Sequence, residues 1–198
     1  MRGLLARAAL TGVLLVTAAC CAGEEAPPPG ASPPPARLVE PGDAGRQSFG
    51  LRRTKRGKPY LFGNLALCLD RAGIANVTDV RFERPKGDLR VEAWALRPFY
   101  RAIGSDGVGW GEPTSLQRRK VSTALQAVTQ VCQPDRSSRV EFSELVVQTS
   151  RPNGTSASGT GVVVTYTSGR SRAMLRIPFG ITLCAPADKT LPLCQSQT

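Results

Sequence analysis

Cysteines, carboxylates and basic side chains are the groups through which this chain could do chemistry, because it contains no histidine. That absence removes Ser-His-Asp triads, Cys-His dyads, His-ligated zinc and HExxH metalloprotease centres. The six cysteines are Cys20, Cys21, Cys68, Cys132, Cys184 and Cys194. No two of them form a CxxC pair, so no zinc or other metal site is expected. A catalytic thiol would lack an imidazole base. No cofactor is expected either. Gly154 to Thr160 (GTSASGT) has the spacing of a phosphate loop, but Thr160 stands where the phosphate-binding lysine belongs. None of the five lysines follows a serine three residues earlier, as a penicillin-binding-type nucleophile requires.

Carboxylate chemistry needs two acids across a cleft, one able to donate a proton and one ionised. Asp70, Asp79, Glu83, Asp88, Glu92, Asp106, Glu112, Glu141 and Glu144 are available. Most fall at turns or on the polar faces of strand-like segments, where a solvated surface is the default. Paired-carboxylate hydrolysis is therefore one alternative to a non-enzymatic binding role, and a structural or assembly accessory role is the other.

Positive charge is the strongest compositional signal. The 198 residues hold 26 Lys and Arg against 15 Asp and Glu, a net charge of +11. The densest run is Arg52-Arg53-Thr54-Lys55-Arg56-Gly57-Lys58, and Arg118-Arg119-Lys120 is a second cluster. A basic patch attracts an anionic polymer, a lipid headgroup or an acidic protein. The glycine-rich stretch 104–111 carries Trp110, an aromatic tip that could touch a ligand.

The chain's start argues for where such a patch would work. Arg2 and Arg7 precede an uncharged, mostly apolar run of twelve residues, Ala8 to Ala19. This run is too short to span a bilayer as a helix and fits the apolar region of an export signal. It ends in Val16-Thr17-Ala18-Ala19-Cys20, which resembles the lipobox of bacterial lipoproteins. In that family the cysteine thiol receives a diacylglycerol, the signal peptide is cut just before it, and the new amino group is usually acylated. The resemblance implies lipidation of Cys20, a signal peptide over 1–19, and a place on the outer, extracytoplasmic face of the cell membrane. Thr17 departs from the commoner leucine at that position. Two or more acyl chains hold a protein firmly where one does not. In outline the chain is similar to the small envelope lipoproteins of GC-rich Gram-positive bacteria. Nucleic acid is not an expected partner for an exported protein. An anionic cell-wall polymer or an envelope protein is.

Residues 20–48 carry seven prolines among Gly, Ala, Ser and acidic residues. They read as a disordered tether after the lipidated cysteine. From Phe49 onward 22 basic residues face 11 acidic ones, so the positive excess sits on a single domain over 49–198. Export to an oxidising compartment predicts that Cys68, Cys132, Cys184 and Cys194 form two disulfides. Spacing leaves three pairings open.

The elements that must position these groups read as strands. Segments 60–69, 77–83, 89–96, 140–148, 161–167 and 173–183 are rich in β-branched, aliphatic and aromatic residues and bounded by Gly, Pro, Asn or Asp. Pro85-Lys86-Gly87-Asp88 and Ser168-Gly169-Arg170 read as tight turns between paired strands. Thr114-x-x-Gln117 resembles a capping box, and Val121, Ala124, Leu125, Val128 and Val131 follow a helical period, so a short helix is predicted over 115–126, while the β-branched content leaves Ala127–Cys132 open as a strand. Segment 60–69 also suits a helix, but Gly63-Asn64 interrupts that reading. The expected fold is mainly β, an antiparallel β-sandwich that is immunoglobulin-like in outline. The Cys68, Trp94, Cys132 order is similar to that family's, although the tryptophan lies too far from the first cysteine.

Overall fold

The computed structural model describes residues 34–41, 47–100, 107–133, 141–188 and 191–195. Ten strands, and no α-helix among these residues, make two sheets that face each other as an open sandwich. The first sheet contains β1 (Leu38–Val39), β3 (Pro59–Leu69), β8 (Glu141–Ser150) and β5 (Val91–Tyr100) in that order, with β6 (Trp110–Glu112) also paired to β3. The second runs β2 (Gln47–Leu51), β10 (Ser171–Leu183), β9 (Ala157–Ser168), β4 (Ala75–Lys86), β7 (Ala127–Val128). Every pairing between named strands is antiparallel except β2 with β10, which is parallel.

All six predicted strands are present. Between the sheets lie Phe62, Leu67, Leu96, Leu145 and Val147 from one side and Val77, Val162, Val164, Ile177 and Ile181 from the other. The first sheet is buried on its other face as well. There Leu61, Ala95 and Val146 pack under Val108 and Leu116 of the 107–121 connection. This double burial explains why 60–69 shows no clean alternation in sequence: both faces of β3 need apolar residues. Gly63 and Asn64 form a β-bulge in β3, with Asn64 at φ 59°. A Cβ on Gly63 would come within 2.5 Å of both the Glu144 carboxylate and the Val108 carbonyl.

Three expectations are corrected. The helix over 115–126 is a single turn. Ser115, not Thr114, caps it by accepting the Arg118 N–H at 3.2 Å. Lys120 adopts φ 56°, and the Val121 and Lys120 amides donate to the Leu116 and Gln117 carbonyls, which closes the turn as a Schellman motif. The apolar stripe then divides. Leu116 and Val121 cover the first sheet, Leu125 is exposed, and Val128 enters the core from β7. Second, the 85–88 turn does not join paired strands but carries the chain from β4 in one sheet to β5 in the other. The 168–170 turn does join a hairpin, β9 to β10, with Gly169 at φ 57°. Third, residues 34–41 and 47–48 do not belong to a tether. The packed unit starts at Pro34, and Ala36 and Leu38 are buried. This shift adds two basic and two acidic residues, so the domain's charge stays at +11.

Strand β1 is secured by a clip: the Arg37 N–H donates to Asp70 Oδ1 at 2.7 Å and Arg71 reaches Oδ2 at 3.0 Å. The Arg37 amide, then the Arg71 guanidinium, hold the Asp70 carboxyl below the usual carboxylate range. A lowered folded-state pKa stabilises above the ordinary aspartate value of about 3.9 and is lost as pH falls through the folded value. Corrected for the intrinsic pH dependence, which slows exchange in this range, the Leu38 and Val39 amides should therefore show an extra acceleration of exchange as pH drops below about 4. In Asp70→Asn that extra acceleration should be absent.

Candidate binding surface

Strand β2 ends in the second sheet and β3 begins in the first, so residues 52–58 are the connection that crosses the sandwich's end. Its backbone is fixed from beneath. The Thr54 N–H and hydroxyl both donate to the Cys184 carbonyl at 2.8 Å. Arg151, only 3% exposed, donates from Nη2 to the Thr54 carbonyl at 2.8 Å and from Nε to its hydroxyl at 3.3 Å. Its Nη1 reaches the Asn153 and Thr155 carbonyls, and its own carbonyl accepts the Gly57 N–H at 2.9 Å. The Lys55 N–H donates to the Tyr60 hydroxyl at 3.0 Å. Arg53 and Gly57 take left-handed φ values of 54° and 66°, which turn the chain sharply enough to leave four of its cations outward.

Arg52, Arg53, Lys55 and Arg56 are exposed and Lys58 is half-buried. Arg52 donates to the Gln195 carbonyl and Arg56 to the Pro152 carbonyl. The side chains of Arg53, Lys55 and Lys58 have no hydrogen-bond or ion-pair partner among the described residues. The hydrogen bonds that Arg151 makes here go to carbonyls and a hydroxyl, so its charge adds to the local positive field. Beside Arg52 and Arg53 lies a cleft of about 210 Å³ lined also by Cys184, Ala185, Pro186, Asp188 and Cys194. Asp188 there accepts the Ser156 N–H at 2.8 Å.

The four domain cysteines form Cys68–Cys132 and Cys184–Cys194. The first ties the end of β3 to the segment beside it, where the Leu69 N–H donates to the Gln130 carbonyl and the Cys132 N–H to the Leu69 carbonyl. It does not cross between the sheets as the disulfide of immunoglobulin domains does. The second pins the short 3₁₀ turn Pro192–Cys194 against β2, where Leu193 lies over Gly50. Cys20 lies outside the described residues. Trp110 is no ligand-seeking tip. It is packed edge-on against Phe49 and Phe179 at the sandwich core.

Sequence reasoning placed Glu144 on a solvated face, and the structure corrects this. Glu144 is fully buried, ion-paired to Arg97, and accepts the Asn64 N–H at 2.7 Å. Its one sequence signal is position, since it shares a strand face with Val146. Arg151 carried no signal at all, because nothing in the run Ser150-Arg151-Pro152 distinguishes a buried arginine from an exposed one.

Two further clefts open on the surface. One, about 350 Å³, is lined by Ser48, Glu83, Arg84, Thr160, Arg176 and Pro178 among others. Another, about 390 Å³, lies between β4 and β5 and is lined by Asp79, Glu92, Trp94, Thr123 and Gln126 among others. Among the described residues no group of three or more Cys, Asp or Glu is placed to hold a metal ion. Comparison with known protein families, curated proteins and solved structures finds no match for this chain.

Proposed function

We propose that this is a lipid-anchored, extracytoplasmic binding protein of the bacterial cell envelope whose β-domain holds an anionic cell-wall polymer through the 52–58 connection. The observation that carries the reading is the set of unpartnered cations Arg53, Lys55 and Lys58 on a backbone already rigidified by Arg151 and Thr54. Pre-organised charges bind without first losing conformational freedom. The lipobox ending in Cys20 supports the location, and the two disulfides agree with an oxidising compartment.

Two results are expected. Cys20→Ala should move the protein from the membrane fraction to the soluble or secreted fraction, and retention of the variant in a salt-washed membrane would refute the anchor. Changing Arg53, Lys55 and Lys58 together to glutamine removes three charge contacts at about 0.2–1 kcal/mol each. Co-sedimentation with isolated cell walls at low salt should then weaken roughly threefold to a hundredfold. Unchanged sedimentation would leave these side chains as plain solvation.

A second reading, an envelope hydrolase with paired carboxylates, is favoured by one observation: Asp79 and Glu92 both line the β4–β5 cleft beside Trp94. Asp79 lies 3.8 Å from Arg81, and Glu92 accepts the Ser150 hydroxyl. Release of reducing sugar from cell walls by the wild type, abolished by Glu92→Gln, would establish this reading over simple binding.

A further inference from the structure

The cleft at the β9–β10 bulge sets charged and hydroxyl side chains beside an exposed proline. Pro178 and Phe179 of β10 stand opposite Gly161 of β9, where the ladder shifts register between Ile177 and Gly180. Gly161 takes φ 72°. A bulge of this kind bends the sheet and re-aims neighbouring side chains. The absence of side chains at two positions lets others close over the backbone. A Cβ on Gly161 would lie 2.9 Å from the Glu83 carboxylate, and one on Gly180 would lie 2.7 Å from the Ser48 hydroxyl.

The polar groups around this space form a mixed set. The Arg84 side chain is exposed and has no hydrogen-bond or ion-pair partner among the described residues. Arg176, mostly exposed, pairs with Glu83 at 2.9 Å, so the two charges offset each other and present donors and acceptors side by side. Ser48 and Thr160 add hydroxyls, and Pro178 is an exposed apolar patch. A bare phosphate would meet the Glu83 carboxylate. A saccharide carrying an acid group fits better: its anion on Arg84, its hydroxyls on Glu83, Arg176, Ser48 and Thr160, and its apolar ring face on Pro178.

The location adds a second argument. Ser48 belongs to β2, an edge strand, and Arg52 follows four residues later. At about 3.3 Å per residue the Ser48 side of the cleft lies roughly 13 Å from the start of the basic connection, while Arg84 sits three strands across the sheet, about 14 Å from β2. We propose that the β9–β10 bulge cleft is an acidic-saccharide subsite. A linear anionic glycan of several units runs from Arg84 on β4 across the sheet to Ser48 on β2 and on to the 52–58 connection. This rests on the polymer-binding reading and names its substrate class.

Oligogalacturonates, measured by calorimetry against the full-length protein in detergent at low salt, test the idea. Joining two weak sites through one ligand multiplies affinity without new contacts. The octamer should bind at least about tenfold more tightly than the dimer, and neutral galactan octamer should bind at least about tenfold more weakly than its acidic counterpart. Arg84→Gln, an exposed substitution that leaves the fold intact, should bring the octamer's affinity close to the dimer's. If Arg84→Gln changes nothing while the Arg53, Lys55 and Lys58 variant weakens octamer binding, the cleft is not a subsite and the polymer-binding reading stands. If the triple variant changes nothing while Arg84→Gln weakens binding, the bridging geometry and the 52–58 reading fall. If neither acidic oligomer binds, or the neutral octamer binds as well as the acidic one, the acidic-saccharide proposal is overturned.

Discussion

Replacing Arg97 by leucine will cost the domain about 3–5 kcal/mol, the loss typical of breaking a buried ion pair from one side. The Arg97 side chain is about a quarter exposed whereas its partner Glu144 is wholly enclosed. Loss of the arginine therefore strands a carboxylate with no route to water. Glu144→Leu should cost less, because Arg97 can turn outward toward solvent and over Phe99, whose ring centre already lies 5.9 Å away. Removing both charges, as Glu144→Leu with Arg97→Leu, should recover much of the loss. What remains is an unsatisfied Asn64 N–H at the β3 bulge, at about 1–3 kcal/mol. Chemical denaturation of the four proteins closes a double-mutant cycle. At about 2–4 °C per kcal/mol for a domain of this size, the melting point of Arg97→Leu should fall roughly 6–20 °C. A drop of a degree or two would show that the pair is solvated and carries no structural load.

Opening the Cys68–Cys132 bridge should have an effect of similar size. Its ends are 64 residues apart, against 10 for Cys184–Cys194. The chain-entropy model gives about 4 kcal/mol for the longer loop and nearer 3 for the shorter. Cys68→Ser with Cys132→Ser should thus destabilise the domain more than Cys184→Ser with Cys194→Ser. The two losses should also differ in kind. The longer bridge fastens β3, at the middle of the first sheet, to residues 130–132, so its removal should lower the whole unfolding transition. The shorter one fastens the chain's end over Gly50, so its removal should expose β2 to hydrogen exchange while most of the sandwich keeps its protection. Equal effects on global stability would contradict the loop-length ordering.

Strand content and most strand positions were legible in the sequence, because β-branched runs between turn residues are local signals. The basic connection was legible for the same reason: five cations in seven residues need no tertiary context. What failed to show depends on distant partners. Strands β1 and β2 are short and lie among prolines, and they exist because β3 and β10 offer them edges. The apolar stripe at 116–128 imitated a helix because it serves two different hydrophobic clusters in turn. Glu144 read as surface because the 107–121 connection that covers it lies far away in the chain. The supporting role of Arg151 depends on Thr54, 97 residues away. Four cysteines were recognisable as a disulfide set, but their pairing is a property of folded distances.

The clip at β1 also has a mechanical meaning. Tension delivered through the N-terminal side at residue 34 first meets two β1 residue pairs, Leu38 with Leu69 and Val39 with Cys68, and the Asp70 clip. These are few bonds, and they lie at a sheet edge. Strand β2 instead lies parallel to β10 over five paired positions, so a pull along it loads those bonds together in shear. The cationic connection follows β2 and is bonded to Arg151 and Cys184. Pulled from residue 34, the domain should therefore lose β1 before it loses β2 and the 52–58 connection.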